Sequence, residues 1–268
     1  MRHTQIHGDA GPLQLYLHNP RGEDVDPEIA LVIVHPCTTL GGCAAAVADI
    51  ADDCARQGYT VVSFDLRGAG ESGGCCSLGP WPLVSGCAEV ADVLSVCRWV
   101  KETMSRDVWL VGVSAGGPIA GAALGRLPFV RGYVGIAHTF GLVTTLIFFV
   151  NVLQLLVSRK PKMFIMGTSD TFTSVLMFYV HMALMRRPRE WHIEPGAGHF
   201  DIELSPYSRL DAELLAAFVG NGTIRGVRAR GSNLLPLWLP SLWTGGPCCI
   251  FTIILVLVIT AKSGLWGV

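Results

Sequence analysis

Three residues of this chain have the types that nucleophilic catalysis needs, and the first of them lies in a distinctive motif. Ser114 is the centre of a Gly-Val-Ser-Ala-Gly pentapeptide at residues 112–116, between an apolar run and a stretch of small residues. A G-x-S-x-G turn between a strand and a helix exposes a serine hydroxyl at the edge of a sheet, and its glycines leave room for the sharp turn. The motif and its context predict that Ser114 is a nucleophile.

A general base and an acid follow later in the chain, each directly after a predicted strand. Asp170 follows the strand at 162–166, and His199 follows the strand at 191–194. The loops after the strands of an open parallel sheet share one edge, so the three side chains are expected to meet there. Each residue also has an ordinary alternative: a small turn residue for Ser114, a structural histidine for His199 and a helix N-cap for Asp170.

The elements that must position these residues alternate between strands and helices. Apolar runs predict an edge strand at 13–17 and further strands at 29–34, 59–64, 108–113, 130–137, 162–166 and 191–194. Helical spacing and turn signals predict helices at 42–57, 85–103, 171–187 and 206–219, the third of them capped by Asp170 or Thr171. This alternation predicts an α/β fold, with a mainly parallel sheet covered by helices on both faces.

Four motifs together resemble those of the α/β-hydrolases. They are residues 35–42 after an early strand, the D-x-R-G-x-G-x-S run at 65–72, the pentapeptide at 112–116, and Gly-His-Phe at 198–200. The chain is most similar to the small branch with serine aminopeptidase-like and dienelactone hydrolase-like proteins. The resemblance covers about residues 13–220, and the order serine, aspartate, histidine is that of the family's triad.

The resemblance also implies an oxyanion hole built from backbone N–H groups. One N–H would come from Ala115, directly after the nucleophile, and the other from Cys37, with Thr38 as the alternative. His35 is expected to be structural rather than a second base. The glycines at 65–72 lack the spacing and the Lys-Ser/Thr of a phosphate-binding loop, so Asp65 and Arg67 are expected to hold that turn by hydrogen bonds.

The triad implies a serine hydrolase that forms an acyl-enzyme, with a carboxylic ester as the favoured substrate over a thioester or an amide. Two alternatives stay open: a binding protein of the same fold without turnover, and an acyltransferase in which an alcohol replaces water. No cofactor and no metal site are predicted, because no cluster of His, Cys, Asp and Glu has metal-ligand spacing. The expected partner is a small acyl substrate.

Composition narrows the functional class and the cellular setting. The 268 residues carry a net charge of −1, which gives no reason to expect a nucleic-acid partner. The nine cysteines contain no C-x-x-C pair, and the N-terminus lacks the pattern of a secretory signal. These features predict reduced, mostly buried thiols and a cytoplasmic location.

An uncharged segment at 132–158 approaches a membrane span in length and hydropathy. A single crossing there would separate Ser114 from Asp170 by a bilayer, which the predicted fold forbids. Residues 139–160 are therefore interpreted as a short cap over the site or as a packed helix. A short cap would give an apolar entrance suited to a small or partly apolar acyl substrate.

A change of composition near residue 220 predicts the end of the hydrolase domain at 1–220. All 21 acidic residues lie before it, whereas the tail at 221–268 contains four basic residues and an uncharged, apolar stretch. Residues 242–261 are long enough for a transmembrane anchor, and the arginines before them would keep the catalytic domain on the cytosolic side. The alternative is a non-native extension without an anchoring role.

Overall fold

The chain forms an eight-stranded sheet flanked by helices in a computed structural model that describes residues 2–21, 26–36, 42–75, 86–204 and 206–224. The strands are β1 (Arg2–Gly8), β2 (Gly11–His18), β3 (Ile29–Val34), β4 (Thr60–Phe64), β5 (Asp107–Val113), β6 (Val130–Ile136), β7 (Lys162–Gly167) and β8 (Arg189–Glu194). The α-helices are α1 (Ala48–Arg56), α2 (Cys87–Met104), α3 (Gly116–Ala123), α4 (Leu142–Ile147), α5 (Phe149–Val157), α6 (Val175–Leu184), α7 (His199–Glu203) and α8 (Tyr207–Asn221). A short 3-10 helix, Ala44–Val47, precedes α1.

The strand order across the sheet is β1-β2-β4-β3-β5-β6-β7-β8. The hairpin of β1 and β2 is antiparallel, β2 pairs antiparallel with β4, and every other pair is parallel. The carboxyl ends of β5, β7 and β8 therefore lie along one edge of the sheet. The predicted α/β class and mainly parallel sheet are confirmed.

Alternate residues of the central strands enter two separate apolar clusters, one on each face of the sheet. Leu110 of β5 packs into the cluster formed with α2, α3, α5 and α6, whereas its neighbour Val111 packs into the cluster formed with α1 and α8. A strand covered on both faces has to be apolar where it is buried, which is why β3 and residues 108–113 of β5 carry no polar side chain. Helices on both faces are thus confirmed.

Two of the predicted elements need correction. The strand predicted at 13–17 is β2, which lies inside the sheet, and the edge strand is β1, whose single aliphatic residue is Ile6. The helix predicted at 171–187 begins only at Val175, and its N-cap is Ser174, whose side chain accepts a hydrogen bond from the N–H of Met177. Capping of this helix by Asp170 or Thr171 was therefore wrong.

The apolar segment after β6 forms two consecutive helices, α4 and α5. Helix α5 packs against α3, with Leu155 lying against Gly121, where an added Cβ would come within 3.0 Å of the leucine side chain. The interpretation of residues 139–160 as a short cap or as a packed helix stays a prediction.

The predicted tail at 221–268 falls mostly outside the described residues, and so does the predicted anchor at 242–261. Helix α8 ends at Asn221, next to the predicted boundary at 220. In the part of the chain that the structure describes, no helix is both long and apolar enough to cross a membrane.

Candidate active site

The turn after β5 places Ser114 in a backbone conformation that is unfavourable for a residue with a side chain. Its φ is 52°, in the left-handed region. The flanking glycines allow this turn: a Cβ on Gly112 would lie 2.6 Å from the Cα of Gly117, and one on Gly116 would clash with the carbonyl oxygen of His35. The G-x-S-x-G spacing is thus a steric requirement of a turn that presents the serine side chain at the end of β5.

Ser114, His199 and Asp170 form one continuous hydrogen-bonded chain. Oγ of Ser114 lies 2.8 Å from Nε2 of His199, and Nδ1 of His199 lies 2.7 Å from Oδ2 of Asp170. The side chains of His199 and Asp170 are almost completely buried. A carboxylate can only accept, so Nδ1 of the imidazole donates to Asp170 and Nε2 is free to accept the serine proton.

The loop after β7 fixes the orientation of the Asp170 carboxylate. Its Oδ1 accepts hydrogen bonds from the N–H groups of Phe172 at 2.7 Å and Thr173 at 2.8 Å. The hydroxyl of Thr173 in turn donates to the carbonyl oxygen of His138, which joins this loop to the end of β6. Asp170 therefore closes a turn between β7 and α6 instead of capping α6.

Only one of the two predicted oxyanion-hole donors lies within the described part of the chain. Ala115 is the N-cap residue of α3, directly after Ser114, so its N–H is at the positive end of a helix. Cys37 and the alternative Thr38 lie outside the described residues. The oxyanion hole stays a prediction.

His35 holds the loop after β3 through hydrogen bonds at both of its ring nitrogens, as a structural residue does. Nε2 of His35 accepts a hydrogen bond from the N–H of Leu66 at 3.0 Å, and Nδ1 donates to the carbonyl oxygen of Pro36 at 2.6 Å. Burial lowers the pKa of His35, which favours the neutral ring that this bonding pattern requires.

Asp65 and Arg67 hold the turn at 65–72 by hydrogen bonds. The carboxylate of Asp65 accepts from the N–H groups of Ala44 and Glu71, and Arg67 forms a two-pronged ion pair with Asp92 of α2. These contacts agree with the interpretation of this loop as a structural turn.

The sequence reasoning missed Glu203, a third acid at the site. It is the last residue of α7, and its Oε1 lies 3.4 Å from Nε2 of His199. Two other acids lie close to His199 in the sequence and have other partners: Glu194 bonds to His192, and Asp201 accepts from the N–H of Gly198. The signal for Glu203 was its position four residues after His199, which places both on the same side of a helix.

Two exposed aromatic side chains lie next to the histidine, and an exposed leucine follows in the chain. The ring of Phe172 lies 4.4 Å from the imidazole of His199 and meets the ring of Phe200 edge-on at 5.8 Å. Phe200 is 61% exposed and Leu204, after the same short helix, is 55% exposed. Large apolar groups next to a buried polar chain are typical of ligand sites.

The family model that matches this chain describes X-Pro dipeptidyl-peptidases of the S15 family and aligns with residues 9–136. The match includes Ser114 and the loops after β3 and β4, and it ends before Asp170 and His199. It agrees with the strand order, the turn at Ser114 and the three-residue chain. The chain has the α/β-hydrolase fold.

Solved structures of several α/β-hydrolases superimpose on most of the domain. An α/β serine hydrolase homologue from Coxiella burnetii is 24% identical, with a TM-score of 0.65 over 80% of this chain and 95% of its own. An α/β serine hydrolase without a lid from Xanthomonas campestris is 21% identical, with a TM-score of 0.67 over 82% of this chain and 94% of its own. Est1E from Butyrivibrio proteoclasticus, solved with ferulic acid bound, is 14% identical, with a TM-score of 0.63 over 81% of this chain and 97% of its own.

At these identities the structural likeness establishes the α/β-hydrolase fold alone. Among curated protein sequences, no match was found. The partial family match and the fold therefore support a hydrolase, whereas the bond that is cleaved has to be argued from the site.

Proposed function

We propose that the chain hydrolyses carboxylic esters through an acyl-enzyme on Ser114. The observation that carries the proposal is the hydrogen-bonded chain from Ser114 through His199 to Asp170, with distances of 2.8 Å and 2.7 Å. Such a chain lets the imidazole remove the serine proton as the hydroxyl oxygen attacks an acyl carbonyl.

In the proposed reaction, Ser114 Oγ bonds to the carbonyl carbon and its proton passes to Nε2 of His199. The tetrahedral oxyanion is stabilised by the N–H of Ala115 and by a second N–H from the loop after β3. His199 then returns the proton to the leaving alkoxide as an alcohol departs. Water repeats the sequence on the acyl-enzyme and releases the acid.

The apolar residues around His199 favour an ester with an apolar group. The rings of Phe172 and Phe200 lie 4.4 and 5.3 Å from the imidazole, and Leu204 adds an exposed aliphatic side chain directly after the same short helix. When the apolar group of the ester is buried against these side chains, the loss of apolar surface from water supplies binding free energy. This contribution does not depend on hydrogen bonds of the kind that an amide substrate would form. Phe200→Ser is expected to lower kcat/KM about tenfold for apolar acyl esters. Val150→Ser, at an exposed position of α5, is the control.

Fluorophosphonate labelling of the full chain tests the mechanism. An activated serine reacts with such a probe, so wild type is expected to be labelled while Ser114→Ala and His199→Ala are not. Unlabelled but folded wild type would overturn the proposal in favour of a binding protein. Hydrolysis of p-nitrophenyl esters, with an added alcohol acceptor, then separates a hydrolase from an acyltransferase by the products formed.

A further inference from the structure

Glu203 lies at the point where the proposed proton transfer takes place. Its Oε1 is 3.4 Å from Nε2 of His199, the same nitrogen that meets Oγ of Ser114 at 2.8 Å. The Ser114 hydroxyl also lies against the Glu203 carboxyl group, and the side chain of Glu203 is only 11% exposed. A second acid therefore faces the reacting side of the imidazole, opposite Asp170.

The resting state leaves Oε1 of this acid without a donor. With the imidazole proton on Nδ1, Nε2 presents only a lone pair, and the single proton of the Ser114 hydroxyl points to one acceptor at a time. Oε1 of Glu203 is inaccessible to solvent and has no hydrogen-bond partner among the described residues. A buried acceptor without a donor raises the free energy of the state in which it occurs.

Proton transfer supplies the missing donor. Once Nε2 takes the serine proton, it becomes an N–H group on a positively charged ring beside the Glu203 carboxylate. The interaction of Glu203 with His199 is thus stronger after proton transfer than before it. Only interactions that strengthen between the ground state and the transition state accelerate a chemical step.

We propose that Glu203 is a positioning residue that stabilises the charged form of His199 during acylation, from the face opposite Asp170. This inference rests on the proposed function of the Ser114 site and adds a fourth residue to it. In this role Glu203 acts through His199.

The other charged groups around Glu203 are compatible with this role. Besides burial, Asp170, in the loop after β7, repels the Glu203 carboxylate and raises its pKa. His199, which lies on the same helix as Glu203, becomes positively charged and lowers that pKa. The buried acid of α8, Asp211, interacts with Glu194 instead. Burial raises the pKa of the Glu203 carboxyl, and His199 and Ser114 act in the opposite direction.

Glu203→Gln, which keeps the shape and removes the charge, tests the proposal. We expect kcat to fall about tenfold at the plateau with KM nearly unchanged, because the loss is confined to the transition state. The acid limb of the kcat/KM profile should also move down by about one pH unit, since a nearby anion favours the protonated imidazole. Glu213→Gln, an exposed site on α8, is the matched control for the lost charge.

A purely structural role for Glu203 would lower kcat without moving the acid limb, and that result would overturn the proposal. Glu203→Asp provides the second variant: it keeps the charge but retracts it by one methylene. It is expected to show a smaller shift in the same direction. An acid limb at the wild-type pH in both variants would exclude the proposed role even if one of them folded poorly.

Nuclear magnetic resonance separates this inference from the proposed function. The imidazole C–H signal of His199, assigned by its absence from His199→Gln, should titrate at lower pH in Glu203→Gln than in wild type. This shift requires no substrate. A shift without wild-type hydrolysis would refute the ester hydrolase and keep the Glu203–His199 coupling, whereas hydrolysis without a shift would do the reverse.

Discussion

One oxygen of Asp170 meets His199 at 2.7 Å, while the other accepts two backbone N–H groups of the loop that follows β7. The carboxylate is therefore fixed in orientation before it meets the imidazole. This arrangement separates two consequences of changing Asp170, because an amide can reproduce the contacts with the loop but not the contact with the ring.

Asp170→Asn is expected to lower kcat by about 10³–10⁴-fold with little loss of stability. The amide oxygen can still accept from the N–H groups of Phe172 and Thr173, but the amide nitrogen then faces Nδ1 of His199 and forces the ring proton onto Nε2. Ester hydrolysis at several substrate concentrations measures the effect. Asp49→Asn, exposed on α1, is the control, and wild-type kcat in Asp170→Asn would refute the assigned role.

The backbone at Ser114 gives a second prediction, which concerns stability. Ser114→Gly and Ser114→Ala should both abolish turnover, but the glycine variant should be more stable by about 1 kcal/mol. The reason is the φ of 52°, which costs a residue with a Cβ more than the extra freedom that glycine gains on unfolding. Urea unfolding of the two inactive variants measures the difference directly.

Ser95 provides the opposite case within the same chain. It lies in the interior of α2, where glycine should be less stable than alanine by about 1 kcal/mol. The difference in stability between the glycine and the alanine variant is thus expected to have opposite signs at Ser114 and Ser95. An alanine variant more stable than the glycine variant at both positions would show that the left-handed turn at Ser114 is not a strained element.

The features that the sequence predicted best are the buried strands and the polar residues that follow strands, because both depend on local chemistry and burial. β3 was placed at its observed bounds, residues 29–34, because a strand buried on both faces must be apolar throughout. Ser114, Asp170 and His199 were singled out because each follows a predicted strand, and the structure brings the three side chains together. The edge strand β1 was missed because most of its side chains are exposed and Ile6 alone carries an apolar signal.

The predictions that failed around the site concern the start of α6 and Glu203, and both depend on tertiary contacts that the sequence does not show. The start of α6 was placed too early because Asp170 bonds to two N–H groups in a turn that looks like a capped helix in the sequence. Glu203 was missed because α7 has only five residues, too few for a periodic pattern. The spacing of four residues from His199 brings the two side chains together only if residues 199–203 form a helical turn, and the spacing alone does not establish that turn.

The ion pair of Arg67 and Asp92 predicts a large effect on folding rather than on chemistry. Nε and Nη2 of Arg67 lie 2.9 and 2.6 Å from the two carboxylate oxygens of Asp92, which is completely buried. Arg67→Met would leave that carboxylate uncompensated and is expected to lower the free energy of unfolding by about 3–5 kcal/mol. Urea unfolding provides the measurement.

Arg56→Met is the matched control, because Arg56 pairs with Asp53 while half of its side chain is exposed to solvent. A loss below about 1 kcal/mol is expected there. Where Arg67→Met remains folded, its kcat should stay close to wild type, since Arg67 does not contact the triad in the described structure. Equal losses of stability in both variants would contradict the assignment of Arg67 as a buried structural cation.

Two buried histidines predict how the fold responds to acid. The rings of His138 and His181 stack on opposite sides of Phe140, with centroid distances of 4.0 and 4.5 Å. Nδ1 of His181 donates to the carbonyl oxygen of Met177. Burial lowers the pKa of His138 to about 3 and that of His181 to about 4, so both rings are neutral in the folded protein.

In the unfolded chain both histidines titrate near pH 6.5, so acid stabilises the unfolded state first. Their full contribution to stability is present above that pH and is lost as the pH falls toward 4 and then 3. Each histidine should therefore remove about 2 kcal/mol from the free energy of unfolding between pH 8 and pH 5. His181→Phe keeps the stacked arrangement and removes one of the two titrating rings. The loss of stability that the two histidines cause between pH 8 and pH 5 should therefore fall by about half.

The measurement is a series of urea unfolding curves between pH 5 and pH 8 for wild type, His138→Phe, His181→Phe and the double variant. The informative quantity is the slope of stability against pH, which a packing defect from the larger ring does not imitate. His7→Phe, on the exposed edge strand, is expected to keep the wild-type slope. A wild-type slope in the double variant would show that the acid sensitivity arises elsewhere in the chain.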